Sequence, residues 1–428
     1  MESLALMPKY EAYKDSGVEW LGDIPSSWEL KPGFVAFRES KSNNKGMKEN
    51  TVLSLSYGHI VVKPEEKLVG LVPESFETYQ LVEPDDIIVR CTDLQNDKVS
   101  LRTGLAKNKG IITSAYLNLR VKNGFDARFL HYYLHALDTI KVLYKFGSGL
   151  RQNLSFLDFK RLPIFEIPED TQKLIANYLE KKTAQVDDAI AIKEQQISLL
   201  KERKQIIIQQ AVTQGLDPNV PMKDSSVDWI GKIPEHWEIK PLKHILKLQN
   251  VKIEAGKSNL EYLGMECVNS FDGTKNEIKS EADGLSTFFQ VGNILFGKLR
   301  PYLAKVYVAD FEGVCSTEFL VYEVKEGSNT FFSKLMLSNG FISVVDASTY
   351  GSKMPRASSD FIGNLKIVNP PFEEQIKIAS FVDKQNELFD MNIALQKAQI
   401  EKLKEYKTTL INSAVTGKIK ITPEMVEQ

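Results

Sequence analysis

The sequence contains the same module twice, and this duplication limits the possible folds more than any other feature. Residues 13–32 read YKDSGVEWLGDIPSSWELKP and residues 222–241 read MKDSSVDWIGKIPEHWEIKP, with twelve of twenty positions identical. At a similar offset, residues 168–214 match residues 371–417. Solenoid repeats are about 20–50 residues long, so a repeat of roughly 200 residues indicates two copies of one large module. Similar ends around divergent middles favour one architecture with two specificities; duplication with simple drift is the alternative.

The matched tails are predicted to be long helices. Neither contains an internal glycine or proline, and they begin after Pro168 and after Pro370-Pro371 with acidic residues in the first turn. Forty-odd residues at about 1.5 Å each give a rod of roughly 60–65 Å. Apolar residues follow the 4-3 spacing of a coiled-coil seam in both tails. The seam residues are Val186, Ile190, Ile197, Leu200, Ile207 and Ala211, then Phe389, Ile393, Ile400, Leu403, Leu410 and Ala414.

Polar residues interrupt both seams at matching places. Lys193 and Lys204 interrupt the first seam, and Gln396 and Lys407 interrupt the second. A polar seam residue can fix the register of two helices at some cost in stability. An exposed, tolerated defect is the alternative, and the sequence leaves both open. Two-fold related copies would pair the helices antiparallel.

The two middles are predicted to be mixed globules with short strands and few helices. The predicted strands begin at Val52, Ile60, Asp86, Tyr116, Asn293, Lys305 and Phe319, and the predicted helices span 127–145 and about 330–337. The fold class is therefore α+β: two mixed α/β globules separated by two long antiparallel coiled-coil helices, with a pseudo-two-fold internal repeat. The predicted domains are globules at 1–167 and 216–370, helices at 168–215 and 371–417, and a C-terminal tail at 418–428.

Composition excludes several classes of protein. The 54 basic and 56 acidic residues give a net charge of −2, which excludes a simple basic nucleic-acid coat but not local basic patches. Cys91, Cys267 and Cys315 have no paired spacing, which argues against a disulfide framework and a CxxC zinc site. No apolar run approaches about 18 residues, and the N-terminus lacks a signal-peptide pattern. We therefore expect a cytoplasmic location and no membrane partner.

Two motifs suggest catalysis or metal binding, but each has a simpler explanation. Residues 369–372 spell NPPF, a motif of amino-methyltransferases, yet no methyl-donor site is evident and the first copy reads EIPE there. The prolines are interpreted as helix punctuation. His131 and His135 have a metal-ligand spacing on a predicted helix, but no third ligand is evident, so a partly buried aromatic face is the preferred interpretation. With no phosphate-binding loop and no catalytic triad or nuclease carboxylate set, the chain is not expected to be an enzyme or to bind a metal.

The two heads, the Pro-x-x-x-Gln starts of both tails, and the Leu-Lys-Glu-x-x-Lys helices ending in Ala-Val-Thr occur together. This combination resembles the DNA-specificity (S) subunit of Type I restriction–modification enzymes, over nearly the whole chain. The resemblance implies two target-recognition domains, each reading one half of a split DNA sequence, and no catalytic residues. It implies two methyltransferase (M) subunits with S-adenosylmethionine, and restriction (R) subunits with ATP and Mg. The NPPF string departs from the pattern, because that motif belongs to the M subunit.

The resemblance also gives the helices a role as a ruler between half-sites. Four residues added to both helices would add roughly 6 Å, near two base-pair steps of about 3.4 Å. Acids and bases are near balance in both globules, so weak, salt-sensitive DNA binding is expected from this chain alone. Trp20, Trp28, Trp229 and Trp237 recur in the heads, and packing is favoured over partner contact.

Candidate DNA contacts are cations, amides and aromatic residues in loops and at strand ends. Arginine suits guanine, and glutamine or asparagine suits adenine. In the first globule they are Lys41, Asn44, Lys45, Tyr57, His59, Arg90, Arg102, Lys107, Lys109, Arg151, Gln152 and Asn153. In the second they are Lys257, Asn259, Tyr262, Lys298, Arg300, Tyr302, Lys353 and Arg356. For any one of these residues, a solvated loop position is the alternative.

Two other functions remain open from the sequence. A coiled-coil scaffold that binds protein partners would show no sequence-selective DNA retention. A self-contained adenine methyltransferase would bind S-adenosylmethionine by itself, and the missing donor site argues against it.

Overall fold

The computed structural model describes residues 4–64, 66, 75–92, 94, 101–147, 153–281, 284–349, 351 and 353–427. The chain forms two compact units, one made of Met1–Ile192 with Ala398–Gln428 and the other of Lys193–Lys397. Each unit contains one head, one globule and portions of both long helices. No helix in the described ranges has a stretch long and apolar enough to cross a membrane.

The strands are short and fall into two series, one per copy. The first series is β1 (Tyr13–Asp15), β2 (Asp23–Pro25), β3 (Glu29–Pro32), β4 (Phe37–Glu39), β5 (Leu53–Ser56), β6 (His59–Val62), β7 (Gln80–Val82), β8 (Ile87–Val89), β9 (Thr103–Leu105), β10 (Gly110–Ile112), β11 (Leu117–Val121) and β12 (Pro163–Glu166). The second series is β13 (Met222–Asp224), β14 (Lys232–Pro234), β15 (Glu238–Pro241), β16 (Leu246–Gln249), β17 (Lys252–Glu254), β18 (Glu261–Leu263), β19 (Leu285–Phe289), β20 (Ile294–Gly297), β21 (Val306–Val308), β22 (Gly313–Cys315), β23 (Phe319–Val324) and β24 (Lys366–Asn369).

The α-helices include two that are much longer than the rest. They are α1 (Ala127–Thr139), α2 (Phe156–Arg161), α3 (Glu169–Gln214), α4 (Leu242–Ile245), α5 (Asn329–Leu337), α6 (Asn339–Ala347), α7 (Ser359–Asn364), α8 (Phe372–Val415) and α9 (Pro423–Glu427). The long helices α3 and α8 have 46 and 44 residues.

Both globules repeat one strand topology. The first has a sheet in the order β4-β11-β8-β9 and the second has one in the order β16-β23-β20-β21, and neighbouring strands in both are antiparallel. A head hairpin and a two-stranded pair accompany each sheet: β1–β2 with β3–β12, and β13–β14 with β15–β24. The second globule has a further sheet, β17-β19-β22-β18, in which β18 and β22 run parallel. The predicted α+β class with an internal repeat is confirmed.

The shorter helices differ from their predicted bounds. The helix predicted over 127–145 ends at Thr139, because Lys141 adopts a left-handed φ of 64° and residues 142–145 form a separate 3₁₀ turn. The helix predicted over 330–337 begins at Asn329 and is capped by Ser328. Helix α6 follows it directly and was not predicted.

Each head packs on its own globule and against the end of a long helix. Trp28 is buried and meets the ring of Phe165 at 5.0 Å between centroids, edge to face. Trp237 is fully buried, and its Nε1 donates to the Glu374 carboxylate in the first turn of α8. Trp28 and Trp237 are therefore packing anchors, whereas Trp20 and Trp229 are only partly buried.

A glycine ends each long helix beside one of these tryptophans. Gly215 and Gly417 have φ of 78° and 73°, the left-handed conformation that closes a helix. A Cβ on Gly215 would lie 3.2 Å from the Trp237 ring, and one on Gly417 would lie 2.5 Å from Pro25. The close approach and the positive φ both require glycine at these two positions.

One buried glutamine attaches each long helix to its globule. Gln172 Nε2 donates to the Ile167 carbonyl at 2.8 Å, and its Oε1 accepts from the backbone N–H of Asp126 at 2.9 Å. Gln375 makes the equivalent bonds to the Pro370 carbonyl at 2.9 Å and the Ser328 N–H at 2.8 Å. Asp126 and Ser328 are the N-caps of α1 and α5. The helix start, the preceding strand end and the globule helix are thus joined through one side chain in each copy.

The predicted seam residues lie on the inner face of the helix pair. Val186, Ile197, Ile393, Ile400, Leu403 and Leu410 are buried, and Ile190, Leu200, Ile207 and Phe389 are partly buried. In the unit containing Lys193–Lys397, Lys193 Nζ donates to Gln396 at 3.1 Å and Lys204 pairs with Asp390 at 2.8 Å. The partner number falls as the residue number rises, so the helices run antiparallel there.

The polar seam residues are partnered rather than exposed defects. In the other unit Lys407 pairs with Asp187 at 2.7 Å, and this pair is offset by 203 residues from Lys204 with Asp390. Lys204 and Lys407 have side chains 11% and 26% exposed, so misaligning the helices would leave mostly covered cations unpaired. The geometry supports the register-fixing interpretation.

Replacing Gln172 with alanine should loosen the start of α3. It leaves the buried Asp126 N–H and Ile167 carbonyl without their partner, at a cost of about 1–3 kcal/mol in unfolding free energy. Hydrogen–deuterium exchange of the peptide containing Asp126 should accelerate, and urea unfolding should shift to lower concentration. Gln196→Ala, an exposed position on α3, is the matched control. Unchanged exchange at Asp126 would contradict the assigned role.

Candidate nucleic-acid interface

Five of the predicted contacts in the second globule lie on two segments that are joined by backbone bonds. We call Lys298, Arg300, Tyr302, Lys353 and Arg356 the Arg356 surface. Leu299 and Arg356 form an isolated β-bridge, the Arg300 N–H donates to the Pro355 carbonyl at 2.8 Å, and the Ala357 N–H donates to the Lys298 carbonyl at 3.0 Å. These bonds hold the two segments side by side.

The loop that carries Arg300 has an unusual backbone. Arg300 and Ala304 both have left-handed φ, 50° and 45°, and they flank a 3₁₀ turn at 301–303. Non-glycine residues adopt this conformation infrequently. Tyr302 at the tip is 45% exposed, and Met354 on the neighbouring segment is 53% exposed. The loop therefore exposes an aromatic ring to solvent beside the partly buried Lys298 and Arg300.

Glu318 connects this surface to Tyr262, a sixth predicted contact. Arg356 donates to both carboxylate oxygens of Glu318 at 2.8–3.1 Å. The Glu318 N–H donates to Ser316 Oγ at 3.2 Å, and Ser316 is also hydrogen-bonded to the Tyr262 side chain. Burial is the main cause of the raised pKa of Tyr262, so its hydroxyl stays protonated.

The other two predictions in the second globule lie outside the Arg356 surface. Lys257 is exposed and pairs with Glu254 at 2.6 Å, and Asn259 is exposed just before β18. Both are accessible.

In the first globule, Tyr57 and His59 lie at the tip of the hairpin formed by β5 and β6. Tyr57 and Gly58 have positive φ, 47° and 79°, as in a type I′ turn. The Tyr57 side chain is 91% exposed. Together with Lys107, these residues line a cavity of about 570 Å³.

The remaining predictions in the first globule fall into three groups. Exposed residues suited to contact are Lys41, Lys45, Lys109 and Asn153. Arg90 is partly buried, whereas Asn44 and Arg102 are fully buried. Arg151 and Gln152 lie outside the described residues.

Asn44 and Arg102 have structural roles, which differs from the expectation that they face solvent. Asn44 Nδ2 donates to the Glu49 carbonyl at 2.8 Å and its Oδ1 accepts from the Glu49 N–H, so it closes its own loop. Arg102 donates to the Thr92 carbonyl at 2.8 Å and the Tyr144 hydroxyl at 3.0 Å. The polar groups of both side chains therefore make hydrogen bonds within the protein.

Comparison with known proteins bears on this interface. Residues 234–405, which include the whole Arg356 surface, match the model of the Type I restriction modification DNA specificity domain. The second copy is therefore similar to this domain over most of its length. The resemblance found in the sequence is confirmed.

Two relatives carry the corresponding name. The Type I restriction enzyme MjaVIII specificity subunit of Methanocaldococcus jannaschii is 25% identical over 332 residues, covering 73% of this chain and 75% of that protein. The Type I restriction enzyme EcoDI specificity subunit of Escherichia coli is 25% identical over 233 residues, covering 50% of this chain and 52% of that protein.

Solved structures share the fold. A chain from a study of complex assembly and conformational transition of the type I R-M system aligns with a TM-score of 0.66 at 11% identity, over 92% of this chain and 98% of that one. The HsdS subunit from Thermoanaerobacter tengcongensis aligns with a TM-score of 0.52 at 13% identity, over the same shares. At these identities the likeness concerns the fold alone.

The NPPF string of the second copy has a structural explanation. Asn369 ends β24 and Phe372 begins α8, so the prolines separate a strand from a helix. The Pro370 carbonyl accepts from Gln375 Nε2 at 2.9 Å. The helix-punctuation interpretation is supported.

His131 and His135 line the cavity under the Tyr57 hairpin. Burial is the main cause of the lowered pKa of both residues, to about 3 for His131 and about 4 for His135. His131 is hydrogen-bonded to the backbone of Thr103, and its buried Nε2 has no partner within the described ranges. These ranges hold no group of three side chains able to bind a metal. Both imidazoles are therefore neutral near pH 7.

Glu318 is the residue of this surface that sequence reasoning missed. The residue precedes β23 and resembles any solvated acid in the sequence. Its importance comes from the bridge between Leu299 and Arg356, which are 57 residues apart. Only the tertiary structure brings this acid to the arginine.

The two histidines that line the cavity should make stability depend on pH. Between pH 6.5 and about 4, the unfolded chain takes up protons at His131 and His135 and the folded chain does not. The unfolding free energy should therefore fall as the pH decreases through this range, by at most about 1.4 kcal/mol per pH unit for each histidine.

Urea unfolding across this range tests the prediction. The double variant His131→Phe with His135→Phe should flatten the pH dependence, whereas His244→Phe, at an exposed position, should leave it as in the wild type. A double variant with the wild-type slope would show that other groups cause the dependence.

Proposed function

We propose that this chain is the DNA-recognition subunit of a Type I restriction–modification complex. It reads a bipartite, asymmetric DNA site with one globule for each half. It is not catalytic: the chemistry belongs to two M subunits, which carry S-adenosylmethionine, and to R subunits, which use ATP and Mg. The observation that carries this proposal is the repeated sheet topology with different residues on the two surfaces.

The candidate contact surfaces of the two globules differ, whereas the contacts that attach each globule to its long helix are the same. The second globule has the cationic Arg356 surface beside Glu318, and the first has a hairpin tip with Tyr57 and His59. Both globules hold their long helix through the same glutamine contact, at Gln172 and Gln375. Two globules that recognise different DNA sequences are expected to have different surfaces on one scaffold. Contacts to base edges determine which sequence is recognised, and the scaffold only positions those contacts.

The near-zero net charge of the chain supports a complex in which partner subunits contribute to the affinity for DNA. Phosphate neutralisation supplies most of the affinity of DNA-binding proteins, and a chain with a net charge of −2 supplies little of it alone. A reader held on DNA by M subunits needs only local contacts for specificity.

An exposed apolar stripe on the long helices supports docking of M subunits. Leu199, Ile206, Leu388 and Leu395 are 42–55% exposed although they lie on the coiled coil. Each precedes a seam position by one residue, so antiparallel pairing places them on one side of the helix pair. Exposed leucine and isoleucine in such a row are typical of a surface that another helix covers.

The proposed function is tested by co-expression with an M subunit and mapping of methylated adenines across the host DNA. A single split motif with a fixed gap is the expected result. Stable assembly without any methylated motif would contradict DNA reading and favour a scaffold.

Insertion of four residues into the middle of both α3 and α8 should lengthen the gap. Each helix grows by roughly 6 Å, near two base-pair steps of about 3.4 Å, while the Arg356 surface is untouched. The methylation map should show the same half-motifs about two base pairs further apart. An unchanged gap, with the complex still active, would contradict the ruler.

The substitutions Leu199→Glu and Leu395→Glu should weaken capture of the M subunit without unfolding the chain. Their side chains are 55% exposed, so folding depends on them little, whereas charge on a covered apolar row opposes docking. Co-purification with a tagged M subunit should fall at least about tenfold. Gln195→Glu, at an exposed α3 position, is the control and should retain binding. If the leucine variants and the Gln195→Glu control captured the M subunit equally well, the docking surface would lie elsewhere.

A further inference from the structure

The pairing of Arg356 with Glu318 suits contact with a base edge. Nε and Nη2 of Arg356 donate to the Glu318 carboxylate side-on, at 2.8–3.1 Å. Side-on pairing leaves the end of the guanidinium, formed by Nη1 and the second hydrogen of Nη2, unengaged by Glu318. The Arg356 side chain is 48% exposed and that of Glu318 is 23% exposed, so the pair lies at the surface.

The charge of the pair argues against a phosphate contact. Arg356 and Glu318 together are neutral, and a phosphate at the guanidinium would also meet the carboxylate. The neighbouring Lys298, Arg300 and Lys353 form no ion pair within the described parts of the chain. Those three cations are better suited to phosphates, which position the protein without carrying sequence information.

The donor pattern of Arg356 points to one base. Two parallel N–H donors match O6 and N7 of guanine in the major groove. Adenine offers one acceptor beside a donor there, and thymine offers one acceptor beside a methyl group. Only guanine accepts both donors.

The arginine is held in place before any DNA arrives. Its backbone lies in the bridge with Leu299, and the Lys298 N–H donates to the Glu318 carbonyl at 2.9 Å. Glu318 is itself fixed through Ser316 Oγ. A side chain fixed on both its backbone and its guanidinium loses little entropy on binding, which favours discrimination between bases.

We propose that Arg356 reads a guanine in the half-site of the second globule, with Glu318 as the positioning residue. This rests on the proposed function. Glu318 does not touch the base; it sets the plane of the guanidinium and prevents Arg356 from binding a phosphate instead.

The test compares Arg356→Ala, Arg356→Lys, Glu318→Gln and the control Lys353→Ala, each in the full chain co-expressed with an M subunit. Methylated adenines are mapped, and binding of the complexes to cognate and variant duplexes is measured against salt. Arg356→Ala and Arg356→Lys should relax one guanine position by about 10- to 100-fold. Lys353→Ala should keep the motif, weaken all duplexes equally and reduce the salt slope by about one.

The variant Glu318→Gln distinguishes a positioning role of Glu318 from a purely structural one. It should relax the same guanine less than Arg356→Ala does, and it should steepen the salt dependence because Arg356 then becomes available to phosphate. A purely structural role would change neither the base preference nor the slope.

Three results would overturn the inference. If the wild type methylates a split motif that has no guanine in either half, the inference about Arg356 is wrong and the proposed function still stands. Equal weakening of all duplexes by Arg356→Ala would make Arg356 a phosphate ligand. The absence of any split motif with the wild type would overturn the proposed function together with this inference.

Discussion

The structure depends on how firmly each globule is fixed to its long helix, and in both copies one buried glutamine makes a polar contact at this junction. Gln172 and Gln375 each accept from the N-cap residue of a globule helix and donate to the carbonyl at the end of the preceding strand. Such an attachment fixes the orientation of the globule on its helix, because any freedom at the helix start would be passed to every surface residue of the globule.

The pairing of α3 with α8 is the second constraint on the structure, because it fixes the register of the two long helices. Apolar seam residues supply most of the burial, but an apolar seam alone tolerates sliding by a heptad. The pairs Lys204–Asp390 and Lys407–Asp187 favour one register, because sliding would separate largely covered cations from their carboxylates. The ion pairs thus contribute alignment more than stability, since each carboxylate is about half exposed and weakly bound in water.

The sequence predicts the parts of this fold that repeat. The long helices were predicted to begin after Pro168 and Pro371, and they begin at Glu169 and Phe372, because proline favours a helix start and nothing inside them breaks the helix. The early end of α1 was not predictable, because the left-handed Lys141 is neither glycine nor asparagine.

Among the candidate contacts, Arg300 and Arg356 were predicted from residue type and loop position, and neither of them is fully buried. The burial of Arg102 was not predicted, because it depends on distant partners such as Tyr144. The local sequence pattern predicts candidate contacts, but tertiary contacts decide which of these side chains remain at the surface.

The central claim is that each globule reads its own half of one split site. It is tested most directly by replacing residues 33–162 with the equivalent segment of a known Type I specificity subunit and mapping methylated adenines. The account predicts that one half-motif changes while the other half-motif and the gap stay the same. A change in both half-motifs, or in neither, would contradict two independent readers on a common helical ruler.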